Sequence, residues 1–306
     1  MRIITRPDFD GIVCAALLHE AEEITLPVQW MEANEIQQGL ADIREGDIIA
    51  NLPWDPRCSL WFDHHYSNRI DQPFEGVFSI TPSAARIIYE HYRSRFVRDY
   101  SILVQETDRI DSADLSLDEV LHPENYDHVL LSMTISGRDR SDAFYWNRLV
   151  DLLRNDDMEK VMADSEVKRR CRSTIEANQR YQTLLLEHTR VRGHVSITDF
   201  RSFDQTPVGN RFLIFSLFPD TLVNLKIHFQ DDTRERVVVH VGHSIFNRRC
   251  RVNVGLMLAQ FEGGGHRGAG GSTFAAGKSD DYIPRIIELL CNNEDNEHAP
   301  RVTEEV

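Results

Sequence analysis

The feature that most constrains this chain is a repeated alternation in which a few β-prone residues are stopped by a polar break and followed by sequence suited to a helix. Arg2-Ile3-Ile4-Thr5 is the first such run. Arg6 to Gly11 is a Pro/Asp/Gly break, and Ile12 to Glu22 then carries apolar residues at helical spacing. Leu26 to Met31 (interrupted by Pro27), Asp47 to Ala50 and Leu60 to Phe62 are further short runs, separated by turn-rich or helix-compatible segments such as Glu35 to Ile43. A parallel sheet with crossover helices accommodates this alternation best. Thr81-Pro82-Ser83 sets a capping residue and a proline ahead of Ala84 to Phe96, which predicts a helix start.

From Asp142 to Arg192 the pattern is mainly helical, with Cys171 and Ile175 four apart, and Gly193 supplies a stop. The texture then turns β-rich, through Phe212 to Phe218, Thr221 to Phe229 and Val237 to Val241. A helix-like stretch at Val254 to Phe261, a glycine-rich turn at Gly263 to Gly271 and a closing helix around Tyr282 to Leu290 follow. A length of 306 residues, at about 150 per domain, agrees with two domains. The expectation is an α/β protein with a parallel-sheet domain over 1–141, a helical connector over 142–193, a smaller α/β domain over 194–291 and an acidic flexible tail over 292–306.

With 34 basic against 49 acidic residues the net charge is −15. Long duplex nucleic acid is therefore a poor partner, because phosphate backbones repel such a chain. The five cysteines are odd in number and never spaced C-x-x-C, so neither a disulfide framework nor a cysteine zinc site is expected. No apolar run reaches the roughly 18 residues of a membrane span. Met1 to Pro7 holds two arginines and a proline in place of a signal peptide's apolar core, so a cytoplasmic location without membrane attachment is expected.

Three places could carry chemistry. Asp8 and Asp10 flank Phe9 where the first strand ends, the edge at which open α/β sheets bind ligands, and paired carboxylates suit Mn or Mg. The ordinary structural alternative is an Asx turn with a helix N-cap, which Asp10 alone would satisfy. Trp61-Phe62-Asp63-His64-His65 ends an apolar strand in a carboxylate and two imidazoles, offering a ligand and its partner, or a ligand and a proton donor. Asp108, with Asp111 and Asp114 close by, adds a third acidic group, although an acidic run is usually a solvated helix face. Last, Glu262 to Gly271 holds six glycines in the nine positions from Gly263. Its backbone N–H groups could form an anion nest, with charge from His266 and Arg267; a flexible hairpin is the alternative.

Thr5-Arg6-Pro7-Asp8-Phe9-Asp10-Gly11, Asp63-His64-His65, Thr107-Asp108 and Gly263-Gly264-Gly265-His266 together resemble, in order and spacing, the motifs of the DHH phosphoesterase superfamily with its C-terminal DHHA1 domain. That superfamily includes oligoribonuclease-like and exopolyphosphatase-like branches. The resemblance implies a metal-dependent hydrolase, using Mn2+ or Mg2+ as one or two ions, that cleaves a small phosphorylated substrate or short nucleotide in a cleft between its two domains. A homodimer stays open. It further implies that Asp8 binds one ion and that Asp10, His64 and Asp108 bind another. Asp63 would orient His64, His65 would contact the phosphate or protonate the leaving group, and Gly263, Gly264, Gly265, His266 and Arg248 would hold the substrate.

Two positions depart from the pattern. Asn51 stands where a bridging aspartate is usual, and Arg6 stands nearest a usual histidine. Asp55 is a candidate for partial compensation, and Arg6 could itself serve as a fixed cation facing a phosphoryl oxygen. These departures keep a second reading alive, a catalytically lapsed protein that binds a nucleotide or phosphate.

Overall fold

The computed structural model describes residues 1–137 and 139–297, and the chain divides into two compact units. The first unit comprises Met1–Leu115 and His122–Ile175. Its elements are β1 (Arg2–Thr5), α1 (Phe9–Ala21), β2 (Gln29–Trp30), α2 (Ala33–Gln37), β3 (Asp47–Ala50), β4 (Leu60–Asp63), β5 (Gly76–Phe78), α3 (Ala84–His91) and α4 (Ser101–Asp111). After an excursion through α5 (Leu117–Leu121), which belongs to the other unit, come α6 (Asp127–Met133), α7 (Ala143–Asn155), α8 (Met158–Ala163) and the start of α9 (Ser165–His188).

The five strands form an all-parallel sheet in the order β2-β1-β3-β4-β5. Alternate residues along each strand point to opposite faces. Ile3, Ile48, Ala50 and Phe62 join a core with α1, α3, α4 and α7, while Ile4, Ile49 and Trp61 join a second core with Met31, Ile36, Ile43 and Leu52. Burial on both faces explains why these strands read as unbroken apolar runs. The strand order reverses at β1, whose neighbours are β2 and β3, so the loops after β1 and β3 open at a topological switch point.

The segment read as a connector is divided between the units. Tyr145, Trp146, Leu149, Val150 and Leu153 form one buried face of α7, and Cys171 and Ile175 pack with the same core. Residues up to Ile175 therefore belong to the first unit, and α9 carries the chain into the second.

The second unit contains Ser116–Leu121 and the chain from Glu176. Its strands are β6 (Thr189–Arg192), β7 (Val195–Asp199), β8 (Val223–Phe229), β9 (Arg236–His243), β10 (Gly263–Gly265) and β11 (Ala269–Ala275), with helices α10 (Leu213–Leu217), α11 (Val254–Ala259) and α12 (Ser279–Asn292). The sheet runs β10-β11-β9-β8-β7-β6, antiparallel except between β7 and β8. Phe212 to Phe218 is helical rather than extended: four consecutive residues, Leu213 to Ser216, are buried, and burial overrides their β-prone composition.

The start of the expected tail is tied down. The Asn293 and Asn296 side chains accept from the Arg251 and Asn253 backbone N–H groups, and Glu297 pairs with Arg267. Residues 298–306 of that tail lie outside the described residues.

Candidate metal centre

The loop from β1 into α1 makes a sharp entry, and Gly11 permits it: a Cβ there would lie 2.0 Å from the Arg6 carbonyl oxygen. Asp8, not Asp10, caps α1, its Oδ1 accepting from Gly11 N–H at 2.8 Å. The same oxygen accepts from Asn51 Nδ2 at 3.0 Å, and Oδ2 lies 3.5 Å from Arg6 Nε. Asp8 is thus already engaged by an amide and a guanidinium. Asn51 has φ of +58°, a left-handed conformation that asparagine tolerates better than most residues.

Asp10 lies in the first turn of α1 and is almost wholly buried, at 1% exposure. Its two oxygens accept from the Ala84 and Ala85 backbone N–H groups, both at 2.9 Å, at the amino end of α3. Those donors favour the carboxylate form. Burial, reinforced by the charge of Asp8, wins, and pushes its pKa up to about 7. Asp111 is likewise pushed up to about 7, by burial and then by Asp10 and Asp8.

His64 decides what this cluster can hold. Its Nδ1 lies 2.9 Å from the Thr81 carbonyl oxygen, which can only accept, so Nδ1 carries the proton and Nε2 presents its lone pair. That Nε2 is buried without any hydrogen-bond partner among the described residues. It stands 3.4 Å from Asp111 Oδ2 and 3.9 Å from Asp10 Oδ2. One ligand atom from each of the three residues falls within 4.8 Å of the other two. With Nε2 unprotonated and both carboxylates ionised the three groups repel one another unless a cation lies between them, and nitrogen with oxygen donors suits a divalent metal. The donor set fits Mn2+ or Mg2+.

Several expected roles move. Asp108 does not join Asp10 and His64: its Oδ1 accepts from Ser83 Oγ at 2.6 Å and its Oδ2 from Arg86 Nε and Nη2 at 2.9 and 2.6 Å. Three residues carry the chain about 4.5 Å along a helix axis, and it is Asp111, at the end of α4, that reaches His64. Asp63 holds His65 rather than His64, with Oδ1 at 2.8 Å from His65 Nδ1, while Asn68 Nδ2 donates to its Oδ2 at 2.8 Å. The hydrogen bond to Asp63 raises the His65 pKa and leaves Nε2 for another partner. Asp55 has both oxygens engaged by Arg57 and is not in the group that could hold an ion, so it does not stand in for the carboxylate missing at Asn51.

Asn68, Thr81, Ala84, Ala85 and Asp111 complete the site without having been singled out as its members. Asp111 was visible as part of the acidic run. The Thr81-Pro82-Ser83 helix start was visible too, but nothing in it revealed that its peptide groups would hold His64 and Asp10.

In the second unit, Gly263 to Gly265 form a strand paired with Gly270 to Ser272 instead of an open turn. Close approach accounts for much of the glycine content: at Gly265, with φ of +143°, a Cβ would lie 2.4 Å from Gly270 Cα. Gly264 differs, since a Cβ there would meet nothing within 4 Å. His266 and Arg248 are exposed, the latter donating from Nε to the Ile245 carbonyl at 3.2 Å.

No protein-family model and no curated protein sequence matches the chain. Solved structures do. A pGpG-specific phosphodiesterase, PggH from Vibrio cholerae, superposes with a TM-score of 0.85 at 28% identity, covering 96% of this chain and 99% of that one. Along nearly its full length the chain shares the fold of that phosphodiesterase. RecJ from Thermus thermophilus, in complex with Mn2+, shares the fold at a TM-score of 0.58 and 13% identity, covering 96% of this chain and 52% of RecJ. Another manganese-bound exonuclease RecJ matches at 0.54 and 11%, covering 98% and 92%. In Asp63-His64-His65, one of the motifs that carry the resemblance to DHH phosphoesterases, Asp63 and His65 bond each other, Asn68 also donates to Asp63, and His64 bonds the Thr81 carbonyl.

Proposed function

We propose that the chain is a metal-dependent phosphodiesterase that hydrolyses a short nucleotide, a linear dinucleotide foremost. The observation that carries this reading is the buried, unpartnered Nε2 of His64, its proton fixed on the other nitrogen, facing Asp10 and Asp111. The likeness to a pGpG-specific phosphodiesterase along nearly the full length of both chains supports the substrate class. The chain's charge of −15 disfavours a long polyanion.

Asp10, His64 and Asp111 would hold one divalent ion, Mn2+ by preference. When bound, such an ion acts as a Lewis acid toward a phosphoryl oxygen and acidifies water. The protein residues do the rest. The Thr81 carbonyl and the Ala84 and Ala85 amides fix the orientation of His64 and Asp10, so no reorganisation is needed when substrate arrives. Asp63, secured by Asn68, keeps His65 turned with Nδ1 inward, so that Nε2 can hand a proton to the departing oxygen. Within the second unit, Gly264, whose side-chain position is open, remains the candidate anion contact, with His266 following in the same motif and Arg248 from the preceding loop.

The test is to incubate the purified protein with Mn2+ and, separately, bis-p-nitrophenyl phosphate, a short oligoribonucleotide and pGpG. Turnover that disappears in Asp10→Asn and His64→Ala is expected. Mn-dependent binding of the dinucleotide with no turnover in Mn2+, Mg2+ or Co2+ would instead establish the lapsed, binding-only reading, which the engagement of Asp8 by Asn51 and Arg6 favours.

A further inference from the structure

Arg6 is half-exposed beside the metal centre, and only one of its nitrogens is used. Its Nε donates to Glu32 Oε2 at 3.2 Å and lies 3.5 Å from Asp8 Oδ2. Neither terminal amino group donates a hydrogen bond among the described residues. Glu32 is itself held, as the first residue of a reciprocal cap with Glu35 at the start of α2, its backbone N–H donating to Glu35 Oε2 at 2.9 Å. The guanidinium is therefore anchored at its root while its two outer nitrogens, four N–H donors in one plane, are left for a ligand. Burial opposes its charge, but Asp8, Glu32 and Asp111 outweigh it and hold the guanidinium's pKa up; the 3.5 Å approach to Asp8 Oδ2 sets it at the loop between β1 and α1.

The charges bear on its use. Asp8, Asp10, Asp111 and Glu32 bring four negative charges, of which one divalent ion and the Arg6 guanidinium would offset three. Asp8 takes no part in the group that can hold an ion; its lone pairs face the Gly11 amide, the Asn51 amide and Arg6. Asn51 contributes no charge, and its Oδ1 is buried without a partner among the described residues.

We propose that Arg6 is a built-in second cation of this site: pinned through Nε by Glu32 and Asp8, it takes a non-bridging oxygen of the substrate phosphate, so that a single metal ion suffices. This rests on the phosphodiesterase reading above. A planar fork suits the task, since it can bond the phosphoryl group without exchanging with solvent as a second ion would. Glu32 is then a positioning residue, acting through Arg6.

The experiment measures three quantities on the full chain: Mn2+ bound per chain, affinity of the Mn-loaded protein for a phosphorothioate-linked dinucleotide, and kcat/KM with pGpG. Wild type is expected to bind one Mn2+. Arg6→Met should keep that stoichiometry and its affinity, weaken the phosphorothioate by tenfold or more, and lower kcat/KM by about 10²- to 10³-fold, the range for removing one oxyanion donor. Glu32→Gln should give a smaller loss in the same direction, with Mn2+ binding intact. Two ions in wild type, loss of Mn2+ from Arg6→Met, or unchanged phosphorothioate affinity in that variant would each overturn the assignment. Should wild type turn over no dinucleotide while its phosphorothioate binding still depends on Arg6, the phosphodiesterase reading falls and the anion-binding role of Arg6 stands.

Discussion

At the carboxyl edge of the parallel sheet, side chains hold one another in place and still leave atoms over. Among the described residues His64 Nε2 and Asn51 Oδ1 are buried and unpartnered, and both belong to residues that directly follow strands. In the glycine-rich hairpin of the second unit the balance is reversed. There backbone pairs with backbone across β10 and β11, and the glycines largely serve close approach. Both regions carry conspicuous sequence motifs, yet only the first has the marks of an unfinished coordination sphere. A motif's residue types say which chemistry is available; leftover bonding capacity says whether it is already consumed by the fold.

The contrast breaks most decisively at the ligands. His64→Ala or Asp10→Asn should abolish Mn2+ binding measured by calorimetry and lower kcat/KM by about 10³-fold or more, equivalent to the several kcal/mol a Lewis acid supplies. Activity surviving in either variant would show that the leftover atoms are not the working ones. Replacing His65 by Ala, or Asp63 by Asn, should cost about 10²-fold in kcat through loss of the proton donor or its orientation. Mn2+ affinity should stay within a factor of about three in both, because neither residue belongs to the ion-holding group.

The two aspartates of α4 provide a sharper comparison. Asp111→Asn should weaken Mn2+ by about 10- to 100-fold, as for loss of a supporting metal contact or a ligand's charge. Asp108→Asn should leave Mn2+ affinity unchanged and lower stability by about 1 to 2 kcal/mol by weakening the bonds from Arg86 and Ser83; denaturant melts read this directly. A reversed pair of outcomes would restore Asp108 as the ligand. The smallest effects belong to the hairpin. Gly265→Ala should destabilise by more than about 1 kcal/mol, given its positive φ and crowding. Gly264→Val should leave the melting temperature alone and raise KM by about tenfold if that open face receives substrate.

How much of this the letters could convey depends on whether a feature is local. Asp47–Ala50 was legible as a strand to the residue, because Ile48 to Ala50 form an apolar run buried on both faces, while the buried Asp47 at its start is paired with Arg2. β5 was not, being three residues led by Gly76. The N-cap of α1 went to Asp8 instead of Asp10 through the register of one turn, a detail set by Gly11 and the Arg6 carbonyl. In the site, Asp10 and His64 could be named because each lies shortly after a strand's end. The exchange of Asp108 for Asp111 could not, since it hinges on Arg86, a residue whose pairing across helices leaves no periodic trace. Asp63 and His65 likewise pair two apart along the chain, where adjacency had suggested Asp63 with His64.

The stretch from Thr81 to Ala85 grips the metal centre with peptide groups alone: one carbonyl on His64 and two amides on Asp10. Side-chain truncation there leaves those contacts in place, so a conventional scanning mutagenesis would register the cap and the Asp108 bond of Ser83 and miss the grip on the metal centre. Only chemistry that edits the main chain, such as an amide-to-ester exchange at Ala84 or Ala85, would expose how firmly the scaffold dictates the electronic state of its own ligands.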